Sequence, residues 1–213
     1  MSAFLGPIHY QLFNKIICSE DRSFAIASAM EKCGKDAEVM SILTAYGEKM
    51  ANKELADLVG DNSIHNFLYG LITKVDLLEA QLIGATDDSN YQQILDAVQA
   101  HGSVLGQKFK TNKDISAENI FQFVRDYYLE GMPCDPGAEV KELDQNRLTF
   151  NRRCCNHIPN WEYTTCSNSK MCTIHNTWIK GFISGISGTA EYILHSSIAD
   201  GATKCTAEIK LGS

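Results

Sequence analysis

The residues best suited to chemistry lie in one short stretch of the chain. Six sulfur or imidazole side chains fall between positions 154 and 175: Cys154, Cys155, His157, Cys166, Cys172 and His175. Cys155 and His157 are two residues apart, so on a strand they would point to the same side of a sheet. Cys172 and His175 are three residues apart, so at the start of a helix they would share a face. The spacing therefore predicts two Cys/His pairs that a fold could bring together.

Metal binding is the first interpretation of these pairs. Thiolate and imidazole groups are the ligands that zinc selects, and iron also accepts them. A two-plus-two set of Cys155, His157, Cys172 and His175 could complete a tetrahedral site for Zn or Fe. The spacing differs from that of zinc fingers and ribbons, in which cysteines come in Cys-x-x-Cys pairs.

Two other interpretations use the same residues. In a nucleophilic one, Cys172 lies near a helix N-terminus, where the helix dipole favours the thiolate, and His175 or His157 takes its proton. In a structural one, the cysteines act as small buried hydrophobic residues and both histidines are hydrogen-bonded in the core. The residues alone leave all three open.

Three histidines follow an isoleucine near a predicted helix start. They are His9 in Pro7-Ile8-His9, His65 in Ser63-Ile64-His65, and His175 in Thr173-Ile174-His175. Such a pattern arises when the isoleucine makes a staple contact and the histidine sits in the first turn. It would also arise if the histidines converged on a cofactor, with His9 and His65 among the ligands. Haem is then one candidate cofactor.

The apolar pattern predicts an α+β fold. Helical spacing covers about 8–17, 24–33, 37–50, 67–82, 91–106 and 117–129, with a break expected at Gly47. Beyond residue 133 the pattern predicts a hairpin around Asp144-Gln145-Asn146, a short strand at 161–164, a helix over 174–194 and a last strand over 204–211. We expect one domain over 1–213, with a mainly helical half (1–132) packed on a small antiparallel sheet and a helix in the α+β half (133–213).

Glycines punctuate the predicted helix over 174–194. Gly181, Gly185 and Gly188 each cost a helix about 1 kcal/mol relative to alanine. Their presence indicates either close packing of a neighbouring helix or room for a ligand against the backbone. The set does not form the Gly-x-Gly-x-x-Gly pattern of a dinucleotide-binding turn.

Composition excludes several classes of protein. With 44% hydrophobic and 21% charged residues, the chain is not intrinsically disordered. Its net charge of −7 argues against a general nucleic-acid binder, and no apolar run has the ~20 residues of a membrane span. Residues 1–9 show no basic and apolar leader, so we expect a cytoplasmic protein. In a reducing compartment its eight cysteines would be thiols, not disulfides.

The C-terminal half resembles a known family. The run Cys155-x-His157, Cys172-Thr-Ile-His175, Gly181-Phe182 and 197–209, which includes Cys205, is similar to the L-2-amino-thiazoline-4-carboxylate hydrolase-like bacterial proteins. The same ending is similar to 4-vinyl-reductase domains, which bind small ligands. The resemblance implies an α+β fold with a small-molecule pocket between helices and sheet.

The resemblance also implies a function. The resemblance implies hydrolytic opening of a small ring containing sulfur and nitrogen, with Cys155, Cys172, His175 and Cys205 as the matching positions. Together with the residue patterns above, we expect a hydrolase that acts on a small ring or amide, with Cys172, His175 and His157 as catalytic residues. The alternative is a sensor that binds a small ligand, a metal or haem without catalysis. Either way the expected partner is a small molecule, with neither nucleic acid nor membrane, and a homodimer is left open.

Overall fold

The first half of the chain is helical, and local sequence sets several of the helix ends. The structure, a computed structural model, describes residues 5–51, 53–110 and 115–212. The first helix begins at Pro7, a residue whose fixed φ suits the first turn. The second ends before Gly47, which has a φ of +86° that residues with a side chain rarely adopt. Ser116 caps the sixth helix by accepting a hydrogen bond from the Asn119 amide at 3.2 Å.

Eight α-helices and four strands follow one another in the described residues. In chain order they are α1 (Pro7–Lys32), α2 (Asp36–Tyr46), α3 (Leu55–Val59), α4 (Ile64–Gly84), α5 (Tyr91–Gln107), α6 (Ala117–Tyr127), β1 (Glu139–Leu143), β2 (Arg147–Arg152), α7 (Ile158–Trp161), α8 (Asn168–Ile186), β3 (Ala190–Ser196) and β4 (Cys205–Leu211). Over that part of the chain, no helix combines the length and apolarity needed to cross a membrane. The leader expectation rests partly on residues 1–4, which lie outside the described residues.

The four strands form one antiparallel sheet in the order β1-β2-β4-β3. The β1–β2 turn is the predicted one, where the Asn146 amide donates to Asp144 Oδ1 at 2.8 Å. Leu148 of β2 pairs with Ile209 of β4, and the two side chains are buried together. Helices packed on a small antiparallel sheet confirm the predicted α+β class.

One large hydrophobic core joins the two halves of the chain. It extends from Ile26 of α1 and Leu78 of α4 to Trp178 of α8 and Ile209 of β4. A smaller cluster lies between α1, α4 and Leu129. The helical half therefore buries its apolar face against α8 and the sheet.

Two predictions of local structure are wrong. The expected strand at 161–164 is not formed. The chain instead forms the short helix α7 directly after His157, and the His157 carbonyl accepts a hydrogen bond from the Trp161 amide at 3.0 Å. The expected helix over 174–194 ends at Ile186, and β3 follows from Ala190. Over only seven positions, the apolar spacing of a half-buried strand resembles that of a helix. Spacing alone therefore did not distinguish β3 from a continuation of α8.

Glycines allow α5 and α8 to pack in very close contact. A Cβ added at Gly102 or Gly106 would overlap the backbone of α8, and one added at Gly181 or Gly185 would overlap that of α5. Around Gly188, beyond the end of α8, there is open space. Of the two interpretations of these glycines, close helix packing is therefore the one that Gly181 and Gly185 serve.

We expect Gly181→Ala to destabilise the protein by about 2 kcal/mol or more, because α5 and α8 must separate to admit the methyl group. Gly70→Ala is the matched control, since Gly70 lies within α4 with nothing within 4 Å of an added Cβ. That change should stabilise the protein by up to ~1 kcal/mol through helix propensity. Urea unfolding measures both values, and equal effects would contradict the packing argument.

Candidate functional site

The predicted Cys/His residues line one small cavity of about 50 Å³. Cys155, His157, Cys172, His175 and Cys205 all contribute to its wall. The cavity lies between the end of α6, the end of β2, the short helix α7, helix α8 and strands β3 and β4. Its remaining walls are formed by Tyr128, Glu130, Arg152, Cys154, Asn156, Trp161, Asn176, Ile179, Tyr192 and Leu194. The fold thus brings both Cys/His pairs to one place.

His157 is a buried imidazole with an acceptor at each nitrogen. Its Nδ1 lies 3.0 Å from Asp76 Oδ1 in α4, and its Nε2 lies 2.8 Å from the Leu129 carbonyl oxygen. A carbonyl and a carboxylate only accept, so both ring nitrogens must donate and the ring carries a positive charge. Burial opposes that charge, but the Asp76 carboxylate outweighs burial and raises the pKa of His157 above its ordinary value.

His175, on α8, is bound differently. Its Nε2 donates to Glu79 Oε2 of α4 at 2.9 Å, and the Tyr128 hydroxyl donates to its Nδ1 at 2.9 Å. Arg22 of α1 already binds Glu79 through two hydrogen bonds, of 2.5 and 2.9 Å. Burial and the nearby Arg22 guanidinium lower the pKa of His175 to about 4, so this ring is neutral at pH 7.

These contacts leave no free imidazole nitrogen for a metal ion. The two rings lie 4.6 Å apart, yet each nitrogen faces a partner within the protein. Within residues 5–51, 53–110 and 115–212, no group of three or more His, Cys, Asp or Glu side chains is placed to hold a metal ion. The Zn or Fe site expected at Cys155, His157, Cys172 and His175 therefore has no assembled set of ligands in this structure.

The thiols of the cavity are also poorly suited to nucleophilic attack. Burial raises the pKa of Cys155 to about 11 and raises that of Cys172 as well. Cys172 Sγ lies 3.1 Å from Ser197 Oγ and accepts the Asn176 amide at 3.2 Å. His175 directs both nitrogens to other partners and makes no hydrogen bond with Cys172. The structure does not assemble the thiol–imidazole pair expected from the sequence.

His9 and His65 do not join the cavity. Their rings lie 5.7 Å from each other near the starts of α1 and α4, and His9 Nδ1 accepts the Gly6 amide at 3.0 Å. His175 is buried elsewhere, in the core beside Glu79. The three Ile-His segments therefore do not converge on one site.

A second, much larger cavity was not found from the sequence. It is a groove of about 1030 Å³ between α1, α5 and α6. Its walls are formed by Pro7, Tyr10, Gln11, Asn14, Ile17, Cys18, Asp21, Ala25, Ala97, Ala100, His101, Val104, Leu105, Lys108, Phe109, Phe123, Asp126 and Tyr127. One face of α5 carries small residues and a histidine at helical spacing: Ala97, Ala100, His101 and Val104. This pattern was the one feature of the sequence that could have indicated the groove.

His101 is the imidazole of this groove. Trp178 Nε1 donates to His101 Nδ1 at 2.9 Å, and an indole nitrogen can only donate. Burial and the Arg22 charge lower the pKa of His101 to about 4, so the ring is neutral with its proton on Nε2.

The histidines of the two cavities are not placed to bind haem. A flat cofactor would fit the groove by size, but a haem iron needs a nitrogen lone pair, and His101 presents Nε2–H while Trp178 holds its other nitrogen. His175, by contrast, lines the 50 Å³ cavity, which is far below the roughly 300–1,000 Å³ of cofactor sites. His9 and His65 line neither cavity.

We expect His157→Gln to reduce the free energy of unfolding by about 3–5 kcal/mol near pH 6, because it leaves Asp76 as a buried charge without a cation. A histidine with a raised pKa stabilises the fold fully below its ordinary value near 6.5, and this stabilisation is lost as the pH rises through the folded-state pKa. The effect of the substitution should therefore shrink at alkaline pH, as denaturant unfolding between pH 6 and pH 10 would show.

His195→Gln is the matched control, because His195 pairs with Glu208 at 3.1 Å but is 45% exposed. His195→Gln should reduce the free energy of unfolding by less than about 1 kcal/mol. A loss for His157→Gln that is constant from pH 6 to pH 10 would contradict the charged state of His157.

Alkylation measures the state of the cavity thiols. A rise in pKa from about 9 to about 11 reduces the thiolate fraction of Cys155 at pH 7 by ~100-fold. We expect iodoacetamide to label the exposed Cys134 much faster than Cys155 or Cys172, as quantified by mass spectrometry of tryptic peptides. Rapid labelling of Cys172 at pH 7 would restore the nucleophilic interpretation.

Comparison with known proteins corrects the family resemblance. No protein-family model matches the chain, and no curated protein matches it. A crystal structure of an H-NOX protein from Shewanella oneidensis in the Fe(II)NO ligation state is 16% identical, with a TM-score of 0.34. An NMR structure of an H-NOX domain from the same organism in the Fe(II)CO state is 14% identical, with a TM-score of 0.32. Each comparison covers 89% of this chain and 98% of the other.

Because both TM-scores lie below 0.5, neither likeness assigns a ligand to this chain. The resemblance to the thiazoline-carboxylate hydrolase-like family and to 4-vinyl-reductase domains is nevertheless wrong. The chain matches no family model, and the solved structures found are of neither group.

Proposed function

We propose that this protein is a binding module that holds a largely apolar aromatic molecule in the groove between α1, α5 and α6, without catalysis. The observation that carries the proposal is the groove itself. Its volume of about 1030 Å³ is at the upper end of small-molecule and cofactor sites, and its walls are mainly apolar with a few polar groups.

Aromatic side chains form one end of the groove. Phe109 stacks on Phe123 with ring centroids 5.0 Å apart, and Tyr127 lies 4.9 Å from Phe109. Rings at these distances offer faces and edges to a further aromatic ring. Farther along the groove, the small side chains of Ala97 and Ala100 on α5 form part of its wall.

Polar groups around the groove favour a ligand that accepts a hydrogen bond. The neutral ring of His101 offers its Nε2–H, because Trp178 binds its other nitrogen. The groove is bordered by one cation, Lys108, and by the carboxylates of Asp21 and Asp126. This mixture of signs favours an uncharged ligand over a strongly charged one.

The same residues argue against catalysis in the groove. Burial raises the pKa of Cys18 to about 12, so its thiol is protonated at pH 7. His101 has a pKa of about 4 and is too weak a base to activate that thiol. With the hydrolase-like resemblance corrected and no thiol–imidazole pair assembled at the Cys/His cavity, binding is the function that the geometry supports best.

Binding is tested with N-phenyl-1-naphthylamine, an uncharged aromatic probe that becomes fluorescent in apolar surroundings. We expect a saturable rise in fluorescence that Val104→Glu weakens at least tenfold, because the carboxylate would lie in the apolar wall of the groove. Val140→Glu is the matched control. Val140 is 43% exposed and Val104 is 62% exposed, but Val140 lies on β1 and does not line the groove.

Two outcomes would contradict the proposal. One is an absence of saturable binding to the unmodified chain. The other is an equal loss in Val104→Glu and Val140→Glu.

A parallel titration with hemin tests the alternative cofactor. We expect no Soret band that depends on His101, because Nε2 of this ring is protonated. A Soret band that disappears in His101→Ala would show that haem displaces the Trp178 contact, and would replace the aromatic ligand by haem in the same groove.

A further inference from the structure

The wall of the small cavity at the Cys/His residues includes a residue whose buried donor has no acceptor among the described residues. Trp161, at the end of α7, is 1% exposed and forms part of the cavity wall. Its Nε1–H has no hydrogen-bond partner among the described residues. A buried donor left in this way costs about 1–3 kcal/mol. An acceptor from outside the protein would remove that cost.

Several acceptors beside the cavity residues already bind donors within the protein. Asp76 accepts from His157 and from Asn160, and the Leu129 carbonyl accepts from His157. Glu130 Oε1 accepts from two nitrogens of Arg152. A molecule with an acceptor atom that entered the cavity would supply the partner that Trp161 lacks among the described residues.

The charges around the cavity are balanced within the protein. Arg152 is paired with Glu130, and the charged His157 is paired with Asp76. His175 is neutral, and burial keeps the thiols of Cys155 and Cys172 protonated by raising their pKa values. An anion would enter this site without a free cation to balance it, whereas a neutral molecule would not. The occupant is therefore expected to be uncharged.

The remaining wall is apolar or weakly polar. Ile179 and Leu194 contribute aliphatic surface, and the thiols of Cys155 and Cys172 are soft, weak hydrogen-bonding groups. A volume of about 50 Å³ admits a molecule of only a few heavy atoms. These surroundings fit a methyl-sized body attached to one strong acceptor.

We propose that this cavity is a second binding site, which takes a compact neutral molecule whose carbonyl oxygen accepts a hydrogen bond from Trp161 Nε1. Small amides and ketones have this chemistry. The site is separate from the groove, and its existence does not depend on what the groove binds.

The two tryptophans of the chain allow each cavity to be observed separately. Trp161 borders the small cavity, while Trp178 Nε1 is bonded to His101 of the groove. An ¹⁵N-labelled sample should give two indole cross-peaks, which Trp178→Phe assigns. Titration with acetamide should shift the Trp161 cross-peak in a saturable way and leave that of Trp178 unmoved.

Cys155→Met should abolish the saturable shift by filling the cavity with a larger uncharged side chain. Cys134→Met is the control, because Cys134 is exposed and lines neither cavity. The titration of the unmodified chain decides the question even if Cys155→Met does not fold.

Either of two results would overturn the proposal. A linear, non-saturating drift of both cross-peaks would show that acetamide acts only as a co-solvent. A nuclear Overhauser effect from Trp161 Hε1 to a bound water, unchanged at high acetamide, would show that water alone satisfies the indole. A failure of N-phenyl-1-naphthylamine to bind the groove would not affect this result, because that binding depends on different residues.

Discussion

The structure depends on two carboxylates of α4 that each hold an imidazole from the C-terminal half. Asp76 and Glu79 are three residues apart, so they share a face of α4, and they bind His157 and His175 respectively. Removing His157 would leave Asp76 as an uncompensated buried charge at a cost of ~3–5 kcal/mol, whereas Glu79 would keep its pair with Arg22 without His175. These two pairs join the helical half to the α+β half, and the small cavity lies beside them.

Trp178 of α8 is connected by its contacts to both the groove and the small cavity. Its Nε1 binds His101 of the groove, and its ring lies 5.8 Å below the Arg22 guanidinium, which holds Glu79 and through it His175. The close packing of α5 on α8 at their glycines keeps Trp178 beneath His101. The core residues that border the small cavity thus also fix the position of the His101 Nε2–H in the groove.

The sequence predicted the helical half and the β1–β2 hairpin, because each rests on a short local pattern. It could not show that Arg22, Asp76 and Glu79 are buried, since charged residues on a helix usually form its solvated face. The strand at Ala190–Ser196 was missed because seven apolar and polar residues fit either period. The groove was missed because it forms only when three helices meet, although the small residues on one face of α5 were visible.

The different charges of the two imidazoles explain why a metal-like pattern gives a hydrogen-bonded core instead. Glu79 already has the Arg22 cation, so a second positive charge on His175 would be unbalanced and the ring stays neutral. Among the described residues Asp76 is bound by Asn160 and His157 and by no arginine, so His157 supplies the cation itself. In both cases the carboxylate partner fixes where the ring protons lie, and each ring has committed the lone pair that a metal ion would need. A buried carboxylate on one nitrogen is common for metal-ligating histidines, so the spacing indicates a metal site only when the second nitrogen stays free, and here the Leu129 carbonyl and the Tyr128 hydroxyl occupy it.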